Sequence, residues 1–220
     1  MYSIKLADLF TAFHFCFRFL SHAFLTIPEE EFIADILKED TLSEWPVAAN
    51  NEALNSGVKV LRDFSRCWQP AHSKSLKLDY TRLFIGLEKT LAPPYASVYL
   101  SKERILFEKQ MFEARRFYKR FNLQVKRKNQ EPDDHIGYEF YFLSFLCQKT
   151  AQEVKTQNNQ GLSVYQSTLK EFLSAHLLRW LDPFLSRVRA NAETLYYRGL
   201  ADLAEGTVQA LSDCLHIARK

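Results

Sequence analysis

The chain has 220 residues, 47% of them apolar, and a formal net charge of +3 from 29 basic and 26 acidic side chains. That length fits one domain or two tightly joined halves, and the apolar fraction supports a full core without disulfides or metals. The charge is too mild to predict a nucleic-acid partner. Eighteen Phe and 10 Tyr against only 6 Gly argue for helices rather than a turn-rich β fold.

Leu6, Leu9, Phe10, Phe13, Phe17, Leu20 and Phe24 recur at spacings of three and four, one face of an amphipathic helix. Asp8, His14, Arg18 and His22 interrupt this stretch. It reads as neither a signal peptide nor a spanning segment, which places the protein in the cytoplasm without membrane insertion. Pro28 and Glu29 to Glu31 open a second helix through Leu37. Leu54, Val58, Leu61 and Phe64 continue the period, and 68–77 reads as a loop. Residues 79–87 are helical, ending near Gly86. Pro93 and Pro94 then force an ordered, partly extended loop. Another helix opens at Ser101, with Ile105, Phe112, Phe117 and Phe121 giving it apolar contacts. The polar and basic stretch 124–130, which contains Lys126-Arg127-Lys128, is the chain's expected hinge.

Beyond it, Pro132 and Asp133 suit the first turn and cap of a helix carrying Ile136, Phe140, Leu143 and Cys147. A polar turn at 157–161 leads to a helix from Leu169 through Phe184, and a last helix covers 195–217. The sum is an all-α bundle of roughly eight to ten helices in a single domain, 1–220. Cys16, Cys67, Cys147 and Cys214 stand far apart with no CxxC pair, so they read as buried thiols in a reducing compartment.

Glu131-Pro132-Asp133-Asp134-His135 crowds three acids and an imidazole at a helix start. Asp133 is read either as a plain cap or as part of a site. One cap is enough, so Asp134 and His135 invite a functional reading: a polar spot that grips an arginine or a peptide backbone, or a catalytic pair. Its protonation would shift near neutral pH. No serine, cysteine or further histidine lies nearby to complete a nucleophilic site. Glu139 shares a face with Ile136 and Leu143, and a buried carboxylate needs partners. Pro93, Pro94, Tyr95 and Tyr99 are either a cover for the core or rigid aromatic contacts for an apolar peptide. His176 and Trp180, four apart, are placed to stack on an apolar face. There is no HExxH, phosphate loop or GxGxxG, so no metal or cofactor is expected.

Three segments in this order resemble the TorD/DmsD family of redox-enzyme maturation chaperones: Asp79-Tyr80-Thr81-Arg82-Leu83-Phe84-Ile85-Gly86, Ala92-Pro93-Pro94-Tyr95-Ala96-Ser97-Val98-Tyr99 and Glu131 to Gly137. The stretch Phe172 to Trp180 and the start from Arg18 to Pro28 are similar too, so the likeness covers nearly the whole chain. It implies a TorD-like helical fold, as monomer or domain-swapped dimer. It implies no enzymatic activity, but binding of the twin-arginine signal peptide and body of a molybdenum-cofactor oxidoreductase precursor, of the dimethyl sulfoxide or trimethylamine N-oxide reductase type, until its cofactor is inserted. By the family's pattern Leu83, Pro94, Tyr95, Pro132, Asp134 and His135 line the peptide-binding region; Phe84, Tyr99, Asp133 and Glu139 complete the candidate set. Tyr95, Glu88 and Leu25 depart from the dimethyl sulfoxide reductase branch, leaving the client open. Two other readings stand beside this one: a relative serving a non-exported oxidoreductase partner, and a small hydrolase or nucleotide-binding enzyme built on Asp134 and His135.

Overall fold

In a computed structural model of the chain, residues 2–36, 45–47, 51–86, 90–101, 109–125 and 131–217 are described. Among them are ten α-helices: α1 Tyr2–Leu25, α2 Glu30–Ile36, α3 Glu52–Cys67, α4 Ser73–Tyr80, α5 Ala96–Leu100, α6 Lys109–Lys119, α7 Ile136–Thr156, α8 Asn159–Ala175, α9 Leu181–Asn191 and α10 Leu195–Cys214. The fold is all-α, as the apolar periodicity requires. The only extended pairing among the described residues is one isolated bridge. No helix among them is long and apolar enough to cross a membrane. Leu37, Glu88, the Ser101–Ile105 helix start beyond Ser101 itself, the Lys126–Lys128 run and most of the expected 124–130 hinge lie outside the described residues.

The chain divides into two compact units, each drawn from separated stretches. The first holds Met1–Leu25, Tyr95–Leu181 and Leu211–Lys220; the second holds Thr26–Pro94 and Asp182–Ala210.

In the first unit α1 lies along α7. Phe17 and Phe24 each meet the Phe140 ring at 5.9 Å. Gly137 lets the two helices close up, since a Cβ there would lie 2.3 Å from Leu25 Cγ. Ser144 Oγ donates to the His14 carbonyl at 3.0 Å, tying the helices a further two turns along. In the second unit α3 packs on α10 through glycines. A Cβ on Gly206 would stand 2.4 Å from the Leu54 backbone N, and one on Gly57 2.5 Å from that of Leu203. Asp79, fully buried, accepts N–H bonds from Glu193 (3.1 Å) and Thr194 (2.8 Å) and the Thr194 hydroxyl (2.8 Å), satisfying free donors at the start of α10.

Several local expectations are corrected. Residues 73–77 form helix rather than loop: Ser73, Leu76 and Tyr80 bury one narrow face, too sparse in apolar residues to show as a period. The expected helix from Leu169 through Phe184 is two helices, broken at His176 (φ −128, ψ −74), with a tight turn Leu177–Arg179 before α9. Phe112 does not join the core but is 52% exposed beneath the Arg115 guanidinium; Met111 and Ala114 fill the buried face instead. Cys16 and Cys147 are buried as expected, whereas Cys67 is exposed.

Candidate functional site

The segment 131–135 is a turn ahead of α7, and the helix starts later than the Pro-Asp signal implies. His135, not Asp133, is its N-cap: the extended backbone of His135 lets Nδ1 accept the Gly137 N–H at 3.0 Å. Asp133 instead pairs with Arg115, through Nε at 2.9 Å and Nη2 at 2.5 Å, and its carbonyl accepts the Tyr118 hydroxyl at 3.0 Å. Pro132 is buried beside it.

Asp134 is 0% exposed. Its carbonyl accepts the Ala96 N–H at 3.1 Å, and Oδ2 accepts the Ser97 N–H at 2.8 Å. Asp134 thus caps α5 and clamps the segment after the Pro-Pro pair onto the start of α7. Tyr95 and His135 form the isolated antiparallel bridge, with their rings edge to face at 5.1 Å. Tyr95 and the start of α5 therefore meet the acid–imidazole turn, some 40 positions on in sequence, through backbone, carboxylate and ring contacts. Burial pushes the Asp134 carboxyl up, against the Ser97 bonds that favour its charged form. Burial holds His135 neutral, its pKa driven down to about 3. The imidazole does not change charge near neutral pH as the residue types alone imply. Tyr95 is half-buried and its hydroxyl is pushed up to about 12 by burial, then by the Glu131 and Asp134 carboxylates. Glu131, also half-buried, accepts the Tyr138 hydroxyl at 2.8 Å.

Glu139 has the partners its position demands. It is fully buried, with Oε1 2.7 Å from His176 Nε2 and Oε2 accepting the Trp180 Nε1–H at 3.3 Å. His176 and Trp180 each stack on an aromatic neighbour. His176 lies over Phe172 (5.4 Å), and Trp180 lies on Tyr99 (5.6 Å). Burial opposes a charged His176, but the adjoining Glu139 outweighs it and holds the imidazole above its ordinary value. The break after α8 has a reason in this pair: it carries Trp180 round to the carboxylate.

Leu83, Phe84 and Pro94 belong to the second unit, where all three are buried. Leu83 and Phe84 sit in a π-type turn, Thr81–Ile85, that closes with Gly86 N–H on the Thr81 carbonyl at 2.7 Å; Gly86 has φ 67, the left-handed region glycine suits. The Leu83 carbonyl accepts the Ala92 N–H at 2.8 Å, pinning the Pro-Pro loop to this turn. Phe84 meets Tyr80, Tyr197 and Phe184 at 5.2, 5.5 and 6.3 Å.

Its relatives set this helical fold among the redox-enzyme maturation chaperones. The sequence profile of the nitrate reductase delta subunit family matches residues 48–186, more than half of the chain, and the chain belongs to that family, which takes in the TorD and DmsD chaperones. Among individual relatives, a Haemophilus influenzae protein named as a probable Tat proofreading chaperone DmsD is 26% identical over 91% of this chain and 90% of its own. A Vibrio cholerae chaperone protein TorD is 28% identical over 89% of this chain and 88% of its own. The solved structure of a candidate redox enzyme maturation protein from Archaeoglobus fulgidus shares the fold, with a TM-score of 0.50 at 18% identity over 88% of this chain and 92% of that one. The named relatives are chaperones, not enzymes.

Proposed function

We propose that this chain is a cytoplasmic chaperone that binds the twin-arginine signal peptide and apo form of a molybdenum-cofactor oxidoreductase, of the dimethyl sulfoxide or trimethylamine N-oxide reductase type, and delays its export until the cofactor is in place. The observation that carries the proposal is the Tyr95–His135 bridge with its Asp134 clamp. It sets a half-buried tyrosine against a half-buried carboxylate, Glu131, on one rigid support.

A twin-arginine leader is a pair of guanidiniums followed by an apolar stretch. An aromatic ring held in place loses little entropy on contact with the apolar part. A carboxylate at the surface offers a charge-assisted bond to a guanidinium, about 1.5–3 kcal/mol. In this reading Asp133, Asp134, His135, Pro132 and Glu139 build the support, and Tyr95 and Glu131 make contact. Tyr99 acts through Trp180, and Leu83, Phe84 and Pro94 are buried within the second unit, where they order its own Pro-Pro turn. Against the hydrolase reading, Asp134 Oδ2 and His135 Nδ1 accept the Ser97 and Gly137 N–H groups, and burial holds His135 neutral.

Calorimetry with synthetic signal peptides from the host's molybdoenzymes tests the proposal. One peptide should bind the wild-type chain saturably, with Tyr95→Ala and Glu131→Gln each weakening it about tenfold or more, some 1.4 kcal/mol. Unchanged affinity in both variants would overturn the assignment of the site. A relative with a non-exported partner would bind none of the peptides and would co-purify with a leaderless oxidoreductase.

A further inference from the structure

The first unit also contains a cavity of about 380 Å³ between α6, α8 and the turn after α8, away from the Tyr95–His135 bridge in sequence and in lining. That volume is at the small end of ligand pockets. His176 forms part of its wall. The imidazole is 1% exposed, Nε2 is bonded to Glu139, and Nδ1 has no hydrogen-bond partner. Glu113 Oε2, also in the lining, lies 3.9 Å from Nδ1, beyond hydrogen-bond distance but within ion-pair range. The same carboxylate oxygen is 3.9 Å from Arg179 Nη1, which donates to the Ala175 carbonyl at 3.3 Å and keeps its other N–H groups. Arg116 lines the cavity with no ion pair among the described residues. Arg120 and Glu171, also in the wall, neutralise each other as a two-bond pair at 2.5 and 2.9 Å, and Arg120 lies 4.6 Å over the Phe117 ring.

Setting that pair aside, the lining holds two guanidiniums and one carboxylate, plus an imidazole whose far nitrogen rests on Glu139. In the protonated state of His176, which Glu139 at Nε2 favours, Nδ1–H is a buried donor at the cavity wall. A donor there with two guanidiniums suits an oxygen anion, while Phe117 and Ala175 offer an apolar surface for a short stem.

We propose that this cavity is a binding site for a small oxyanion-headed ligand, a phosphate or a carboxylate, held by His176 Nδ1–H with Arg116 and Arg179. Its lining residues are distinct from Tyr95 and Glu131, although His176 shares Glu139 with the support of the peptide site.

The test is an NMR titration of the imidazole nitrogens of the full chain with inorganic phosphate, and separately with glutarate, a carboxylate on an apolar stem. At least one ligand should move the His176 Nδ1 signal saturably. Arg116→Gln with Arg179→Gln, both exposed enough to leave the fold intact, should weaken that binding tenfold or more. Saturation by phosphate alone or by glutarate alone supports the site and tells the two head groups apart. Shifts that never saturate with either ligand, or that are unchanged in the double variant, overturn it. Signal-peptide affinity measured on the same double variant should stay at the wild-type value, so failure here and failure of the chaperone reading can be told apart.

Discussion

Replacing His135 by Asn probes the junction that the proposed peptide site rests on. Asn is itself a strong N-cap, so the bond to the Gly137 N–H has a substitute while the titratable ring is gone. In the folded chain burial holds His135 near pKa 3, against about 6.5 when unfolded. A depressed imidazole gives stability that is complete above pH 6.5 and drains away as pH falls toward 3, because the unfolded chain takes up a proton the folded chain refuses. At about 1.36 kcal/mol per unit, the loss is about 2 kcal/mol between pH 7 and 5 and about 4 kcal/mol by pH 3. Urea unfolding of wild type and His135→Asn at pH 7 and pH 5 isolates this term, since every other group cancels in the double difference. The variant should be the less stable at pH 7 from lost ring contacts with Tyr95 and Tyr138, yet lose about 2 kcal/mol less than wild type on going to pH 5. Equal losses in the two proteins, or an NMR titration placing His135 near 6.5, would refute the buried-cap reasoning.

Three further outcomes follow from other contacts. Glu139→Gln removes the partner that raises His176, a raised imidazole whose stabilisation is full below pH 6.5 and fades as pH climbs through its folded value; the variant's penalty, about 3 kcal/mol at pH 6, should be visibly smaller at pH 9 in denaturant titrations. Gly206→Ala gains about 0.5–1 kcal/mol of helix preference but places a methyl 2.4 Å from the Leu54 backbone, so a net loss of about 1–2 kcal/mol is expected by thermal unfolding. Asp79→Ala strips the acceptor from the Glu193 and Thr194 N–H groups and should cost about 2–4 kcal/mol, with amide exchange accelerated first at the start of α10.

The helix faces were legible because burial on a helix repeats every 3.6 residues: Phe10, Phe13, Phe17, Leu20 and Phe24 of the α1 stripe are buried, while Leu6 and Leu9 at its start are half-buried. The need of Glu139 for partners was legible too, from a carboxylate among apolar neighbours. Which partners was not, because His176 and Trp180 reach it only after a helix break that no proline or glycine announces at His176. The capping role passed from Asp133 to His135 because Arg115, 18 residues earlier, claims the aspartate. Asp79 gave no local sign of serving α10, since its partners lie over 110 residues away. The oxyanion cavity left no motif either: its charged residues are spread from Glu113 to Arg179 on separate elements and converge only in the folded unit.

The most direct measurement is in-cell photo-crosslinking from position 95, with a benzoylphenylalanine in place of Tyr95, followed by mass spectrometry of the captured partner. The account predicts a crosslink to the leader of a molybdoenzyme precursor that still carries its paired arginines. Crosslinks found only to mature, leaderless proteins, with none to any such leader, would contradict it.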